Sequence, residues 1–139
     1  MKPKPLNTIS EGTVVRIPLA ISPEQMTRYG ELSGDLNPLH CDDAYARRHG
    51  FQERVVYGGL LIAAVSRLLG MELPGPGWIW HNLKLQFKMP LYTNQKAEVV
   101  ATVNHVNSAL GAISLKIEIL CQGKLIAQGD VQSGMIRPA

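Results

Sequence analysis

The stretch that most constrains the fold is Tyr57-Gly58-Gly59-Leu60-Leu61-Ile62-Ala63-Ala64-Val65-Ser66-Arg67-Leu68-Leu69-Gly70. It predicts a helix, stopped by Gly70, that is apolar on nearly every side, with Arg67 its one charged residue. Such a helix has no solvent face and must be covered by the rest of the chain. The C-terminal half of the chain can supply that cover. After the turn signal Leu73-Pro74-Gly75-Pro76-Gly77 the hydrophobic period changes from helical to two. Leu83, Leu85, Phe87 and Met89 alternate with Asn82, Lys84, Gln86 and Lys88, predicting a half-buried strand from Trp80 to Met89 that Pro90 ends. Further strands are expected over Gln95–Asn107, Ala112–Cys121 and Lys124–Ile136, with turns at Asn107-Ser108, Gly111 and Gln122-Gly123.

Ahead of the helix, Thr13–Ile21 is rich in β-branched residues and reads as a first strand, with Pro18 marking an edge or bulge. Ser22-Pro23-Glu24-Gln25 starts a helix: Ser22 is the N-cap, Pro23 sits at the first position, and Gln25 completes a capping box. That helix runs to about Ser33, with Met26, Tyr29 and Leu32 at helical spacing. A shorter one over Asp42–Arg48 has acids first and bases last, matching the helix dipole. Residues 1–12 read as a loose lead-in and residues 13–139 as one domain. An apolar helix followed by long alternating strands implies an α+β fold in which an antiparallel sheet curves around the helix, the hotdog arrangement. Pairing of two subunits usually covers the open sheet edge, so a homodimer or dimer of dimers is expected.

Ser33-Gly34-Asp35-Leu36-Asn37-Pro38-Leu39-His40 is the chemically informative stretch. Gly34 ends the preceding helix, and Pro38 restricts Asn37 to extended or turn geometry. The segment is expected to be an irregular loop in which Asp35 and His40 converge, a carboxylate beside an imidazole that exchanges protons near neutral pH. At Gly58 and Gly59 the missing side chains bare the helix's first N–H groups to a ligand.

The remaining features exclude more than they indicate. A formal charge of +3, with scattered Lys and Arg, offers no nucleic-acid stripe, though it suits an anionic ligand such as a phosphorylated carrier. The apolar run Leu60–Val65 is too short to span a bilayer, and the polar start carries no signal peptide, so a cytoplasmic location is expected. Cys41 and Cys121 have neither zinc nor disulfide spacing. His40, Cys41, Asp42, Asp43 and His49 could be drawn as a metal site, but neighbours in sequence rarely converge on one ion, and no metal is expected.

Ser33–His40, then Val56-Tyr57-Gly58-Gly59-Leu60-Leu61, then Leu73-Pro74-Gly75 resemble the (R)-specific enoyl-CoA hydratases of the MaoC-like hotdog superfamily. The likeness runs from about Thr13 to the C-terminus. It implies a lyase of fatty acid metabolism that adds water syn to a trans-2-enoyl thioester of coenzyme A or acyl carrier protein, giving the (3R)-3-hydroxyacyl thioester. By the resemblance, Asp35 and His40 match the catalytic pair, and Gly58 matches the glycine whose N–H polarises the thioester carbonyl. Asn37, Tyr57, Gly59 and Ser66 fall at substrate-binding positions. The resemblance implies no cofactor beyond the substrate's carrier. The chain departs from the family where His-Gly-Met is usual and Tyr57-Gly58-Gly59 stands instead, which leaves the acyl group open. A hotdog thioesterase and a non-catalytic acyl-thioester binding subunit are the alternatives.

Overall fold

The structure is a computed structural model that describes residues 2–139. Its main elements are β1 (Val14–Leu19), α1 (Pro23–Ser33), α2 (Pro38–Cys41), α3 (Asp43–Arg48), α4 (Gly58–Met71), β2 (Trp78–Phe87), β3 (Ala97–Asn107), β4 (Ala112–Cys121) and β5 (Lys124–Met135). The five strands form one antiparallel sheet in the order β1-β3-β4-β5-β2. Pro18 lies in β1, an edge strand, where one missing N–H costs no ladder bond on the open side.

The period-two pattern is realised on one face. Val99, Ala101 and Val103 of β3, Ile113, Leu115, Ile117 and Ile119 of β4, and Ala127 and Val131 of β5 are buried there. Against them α4 sets Leu61, Val65, Leu68 and Leu69, also buried. Removing each such side chain from water contributes roughly 1.5–3 kcal/mol, so this contact is the main apolar stabilisation of α4. The expectation that α4 is enclosed on every side needs correcting. Ala63, Ser66, Arg67 and Gly70 are exposed, because the curved sheet of a single chain reaches only one side of the helix.

The lead-in is also more ordered than expected. Leu6–Thr8 forms a 3-10 turn, Ile9 enters the core, and Trp78 Nε1 donates to the Lys4 carbonyl at 3.1 Å. Its first residue lies outside the described residues. No helix among the described residues is long and apolar enough to cross a membrane.

Between α1 and α3 the prediction of an irregular loop fails in part. Pro38–Cys41 is a short helix, with Asn37 as N-cap accepting from Leu39 N at 3.0 Å and Pro38 at the first position. Asn-Pro therefore serves as a helix start, in which proline's fixed φ is pre-organised and its missing N–H is not needed.

Candidate active site

Two helix ends bring the site together. α1 begins with the expected capping box, Ser22 and Gln25 bonded reciprocally. It ends at Gly34, whose φ of 74° is the left-handed conformation that glycine adopts without strain. The chain then turns at Asp35: its N–H donates to Ser33 Oγ, and its Oδ1 accepts from Asn37 N–H at 3.1 Å. One carboxylate oxygen is thus held by the backbone, and the residue itself is exposed.

His40 sits in α2 and is half-buried. Its Nδ1 lies 2.6 Å from the Val55 carbonyl oxygen, which can only accept, so Nδ1 carries the proton and Nε2 of the neutral ring keeps its lone pair. Leu39 and Val55 are joined by a further main-chain bond of 3.0 Å, and Val56 N–H bonds Leu91 O at 2.9 Å. These tie the helix of His40 to the segment that leads into α4.

α4 starts at Gly58, with Tyr57 as an N-cap that supplies no side-chain bond to the first turn. The orphan N–H groups of that turn, which carry the positive end of the helix dipole, remain for other partners. Gly58 and His40 line one cavity of about 390 Å³, whose walls include Leu39, Phe51, Met89 and Leu91. The site therefore offers an imidazole base and a backbone donor at the mouth of an apolar pocket.

Beneath it lies an aromatic stack. The Tyr57 ring packs on His40, centroids 4.3 Å apart and planes at 30°, and Tyr29 packs on Tyr57 at 4.7 Å. Tyr57 is only 2% exposed, and its hydroxyl donates to the Asp35 carbonyl oxygen at 2.6 Å. Burial foremost, then the Cys41 thiol and the Asp35 charge, push this phenol well above the ordinary tyrosine range.

Several expected roles change. Asp35 and His40 are linked through Tyr57, one by its hydroxyl and the other by its ring. The Tyr57 ring is buried under His40; it is not among the residues lining the cavity around Gly58, and with His40, Gly30, Leu36 and Cys41 it lines a second cavity of about 290 Å³. Gly59 packs against Tyr29. A Cβ there would collide with the Tyr29 hydroxyl, so its lack of bulk admits Tyr29. Asn37 spends its side-chain oxygen on capping α2. Ser66 is exposed, about 12 Å along α4 from Gly58 at 1.5 Å per residue, and it does not line the His40 cavity of the single chain. His49 turns onto Tyr45, bonding its carbonyl at 2.8 Å, instead of joining His40.

The residues not anticipated are Tyr29, Gly30, Val55, Phe87 and Met89. Glycine inside a helical pattern is a usable signal at Gly30, since it marks close packing. Phe87 and Met89 continue the inward alternation of β2 past the core, ending 53% and 43% exposed beside the cavity. Nothing local in the sequence announces Val55, which contributes only a carbonyl.

Comparison with known proteins places this geometry in context. The profile of the family described as MaoC like domain matches residues 6–118. The chain is 30% identical over 120 residues to the (R)-specific enoyl-CoA hydratase of Aeromonas caviae, covering 86% of this chain and 90% of that protein. It is 30% identical over 122 residues to that of Rhodospirillum rubrum, covering 88% and 85%. The solved (R)-hydratase from A. caviae superposes with a TM-score of 0.88 at 29% identity, over 92% of this chain and 98% of that one. R-hydratase PhaJ1 from Pseudomonas aeruginosa does so with a TM-score of 0.89 at 26% identity, over 98% and 88%.

Proposed function

We propose a function from one premise: the chain belongs to the MaoC-like domain family, whose profile matches residues 6–118. It is a hydro-lyase that adds water to a trans-2-enoyl thioester and yields the (3R)-3-hydroxyacyl thioester. The observation that carries this is the placement of His40, its Nδ1 proton committed to Val55, on the same cavity as Gly58 at the start of α4.

The chemistry we propose starts from the pair. In this reading one water is held between the Asp35 carboxylate and His40 Nε2. As its oxygen bonds C3, its proton passes to Nε2. The C2=C3 π pair moves into the thioester as an enolate, whose oxygen accepts from the Gly58 N–H. The imidazolium, paired with the Asp35 charge, returns the proton to C2 on the same face, and the carbonyl re-forms. A preorganised donor at the enolate oxygen contributes about 10²–10³ in rate, and general acid–base help about 10²–10⁴. No step calls for a metal or a cofactor.

Coenzyme A is the carrier to assay first, because the relatives matched over most of their length are named for it. Acyl carrier protein is the second. A homodimer belongs to this reading. The open side of α4 and the edge strand β2, with Ile79 54% exposed, are what a second copy would cover. Sedimentation equilibrium at micromolar concentration tests it, and a 15.2 kDa species alone refutes it. A cytoplasmic setting and a place in fatty acid metabolism complete the proposal.

The test is loss of enoyl absorbance with crotonyl-CoA, followed by chiral analysis of the product. A (3R) alcohol is expected. Free thiol released without hydration would make the protein a thioesterase, and tight binding without turnover would make it a binding subunit. Either result overturns the proposal.

A further inference from the structure

Tyr57 is buried under the His40 imidazole and does not line the cavity that His40 shares with Gly58, yet it touches both halves of the proton-handling pair. Its hydroxyl donates to the Asp35 carbonyl oxygen at 2.6 Å and lies 3.5 Å from Cys41 Sγ. Its ring supports the His40 imidazole at a 4.3 Å centroid separation. Its own peptide leads into Gly58. Gly30 of α1 is shaped to this hydroxyl: a Cβ built on Gly30 would stand 2.9 Å from Tyr57 Oη, tighter than carbon and oxygen tolerate. The glycine leaves the space in which the hydroxyl reaches the Asp35 carbonyl.

We propose that Tyr57 is the positioning residue of this site, a buried phenol that fixes the Asp35 turn with its hydroxyl and the His40 ring with its face. The inference rests on the hydratase reading for its kinetic consequence and on geometry alone for its structural one. Three contacts hold the imidazole and carboxylate in relation to one another. Nδ1 on Val55 sets the rotation of the His40 ring, the Tyr57 face sets its tilt, and the Tyr57 hydroxyl anchors the main chain from which the carboxylate projects. Because the phenol stays protonated, it remains a donor across the working pH range. Misplacement of such a pair lowers turnover and leaves substrate affinity nearly unchanged, because Tyr57 does not line the cavity that His40 shares with Gly58.

The experiment is a double-mutant cycle of Tyr57→Phe and Gly30→Ala in the full chain. Kinetics with crotonyl-CoA and deuterium uptake across residues 34–41 are the readouts. Tyr57→Phe keeps the ring and removes the hydroxyl; kcat should fall about tenfold with KM within about twofold of the parent, the effect of one lost buried hydrogen bond. Gly30→Ala keeps the hydroxyl and pushes it off Asp35. It should lower kcat by a similar factor although alanine favours the helix. In the double variant the added Cβ meets no hydroxyl, so kcat should match Tyr57→Phe alone. Losses that multiply, a kcat for Tyr57→Phe within about twofold of the parent, or a change in KM alone would overturn the inference. Uptake across 34–41 should rise in both single variants while the sheet stays protected, and unchanged uptake would also overturn it. If the parent hydrates no enoyl thioester, the hydratase reading falls, and uptake still decides the role of Tyr57. Should Tyr57→Phe not fold, Gly30→Ala carries both readouts.

Discussion

Replacing Gly58 by proline and by alanine separates backbone chemistry from bulk at the start of α4. Gly58 is the first helical residue, where an N–H has no intrahelical acceptor and proline fits. Tyr57 before it has φ −56° and ψ 131°, already the extended geometry that proline demands of its predecessor. Gly58→Pro should therefore fold, with one change at the cavity, the loss of an amide donor. Loss of one such donor costs about 10²–10³ in kcat, or roughly 2.7–4 kcal/mol of transition-state stabilisation. Alanine keeps the donor. Its Cβ would stand 3.2 Å from Phe87 Cζ, and Phe87 is 53% exposed, so the ring can give way toward solvent. Gly58→Ala should lose less than about tenfold, one decade of rate per 1.4 kcal/mol. The assay is steady-state hydration of crotonyl-CoA, with thermal unfolding run on each variant. Equal losses in the two variants would make the effect steric and remove Gly58 from the role of donor. Full activity in Gly58→Pro would do the same.

Asp35→Asn should lower kcat by about 10²-fold or more yet unfold at the parent's temperature, because an amide oxygen can still accept from Asn37 N–H. His40→Ala should lose both activity and stability, since it gives up the Val55 bond and the Tyr57 stack together; an unchanged melting temperature would contradict that anchoring. Gly59→Ala should destabilise by about 1–3 kcal/mol through overpacking against Tyr29, and Tyr29→Leu should recover most of it in urea denaturation. Above the ordinary phenol value of 10.0 the unfolded chain ionises Tyr57 and the folded chain does not. That contribution to stability is complete below this pH and is lost as pH rises beyond it. Denaturation midpoints measured from about pH 9 upward should fall, and should fall less in Tyr57→Phe.

The fold is legible because its signals are periodic and redundant. The capping box at Ser22 and Gln25, the alternation in β4, and the apolar run of α4 each come from side chains read in order. The sidedness of α4 is not legible, since composition tells that a helix needs cover and not how far one chain's sheet extends. Asn37-Pro38 misleads because the same dipeptide serves a turn and a helix start, and only the bond from Leu39 N–H distinguishes them. Asp35, His40 and Gly58 stand out through residue type and spacing. Tyr57 draws attention only as a departure beside Gly58, because its hydroxyl's close approach to α1 depends on Gly30, which is 27 positions away. Val55 is invisible, as any residue offering a main-chain carbonyl is.

Gly30 with Tyr57, and Gly59 with Tyr29, form two interlocked pairs in which the glycine vacates the volume that the phenol fills. Such pairs impose an order on change. Shrinking the tyrosine first leaves a hole that a folded chain survives, whereas enlarging the glycine first drives two atoms into one space. The His-Gly-Met sequence usual at these positions in the resembled family is therefore inaccessible here by single replacements made at residue 59. Methionine at 59 can be admitted only after Tyr29 has gone. Drift between this chain and its relatives has a permitted direction at each step, and a chimera that brings methionine in at 59 while keeping this chain's α1 would collide with Tyr29.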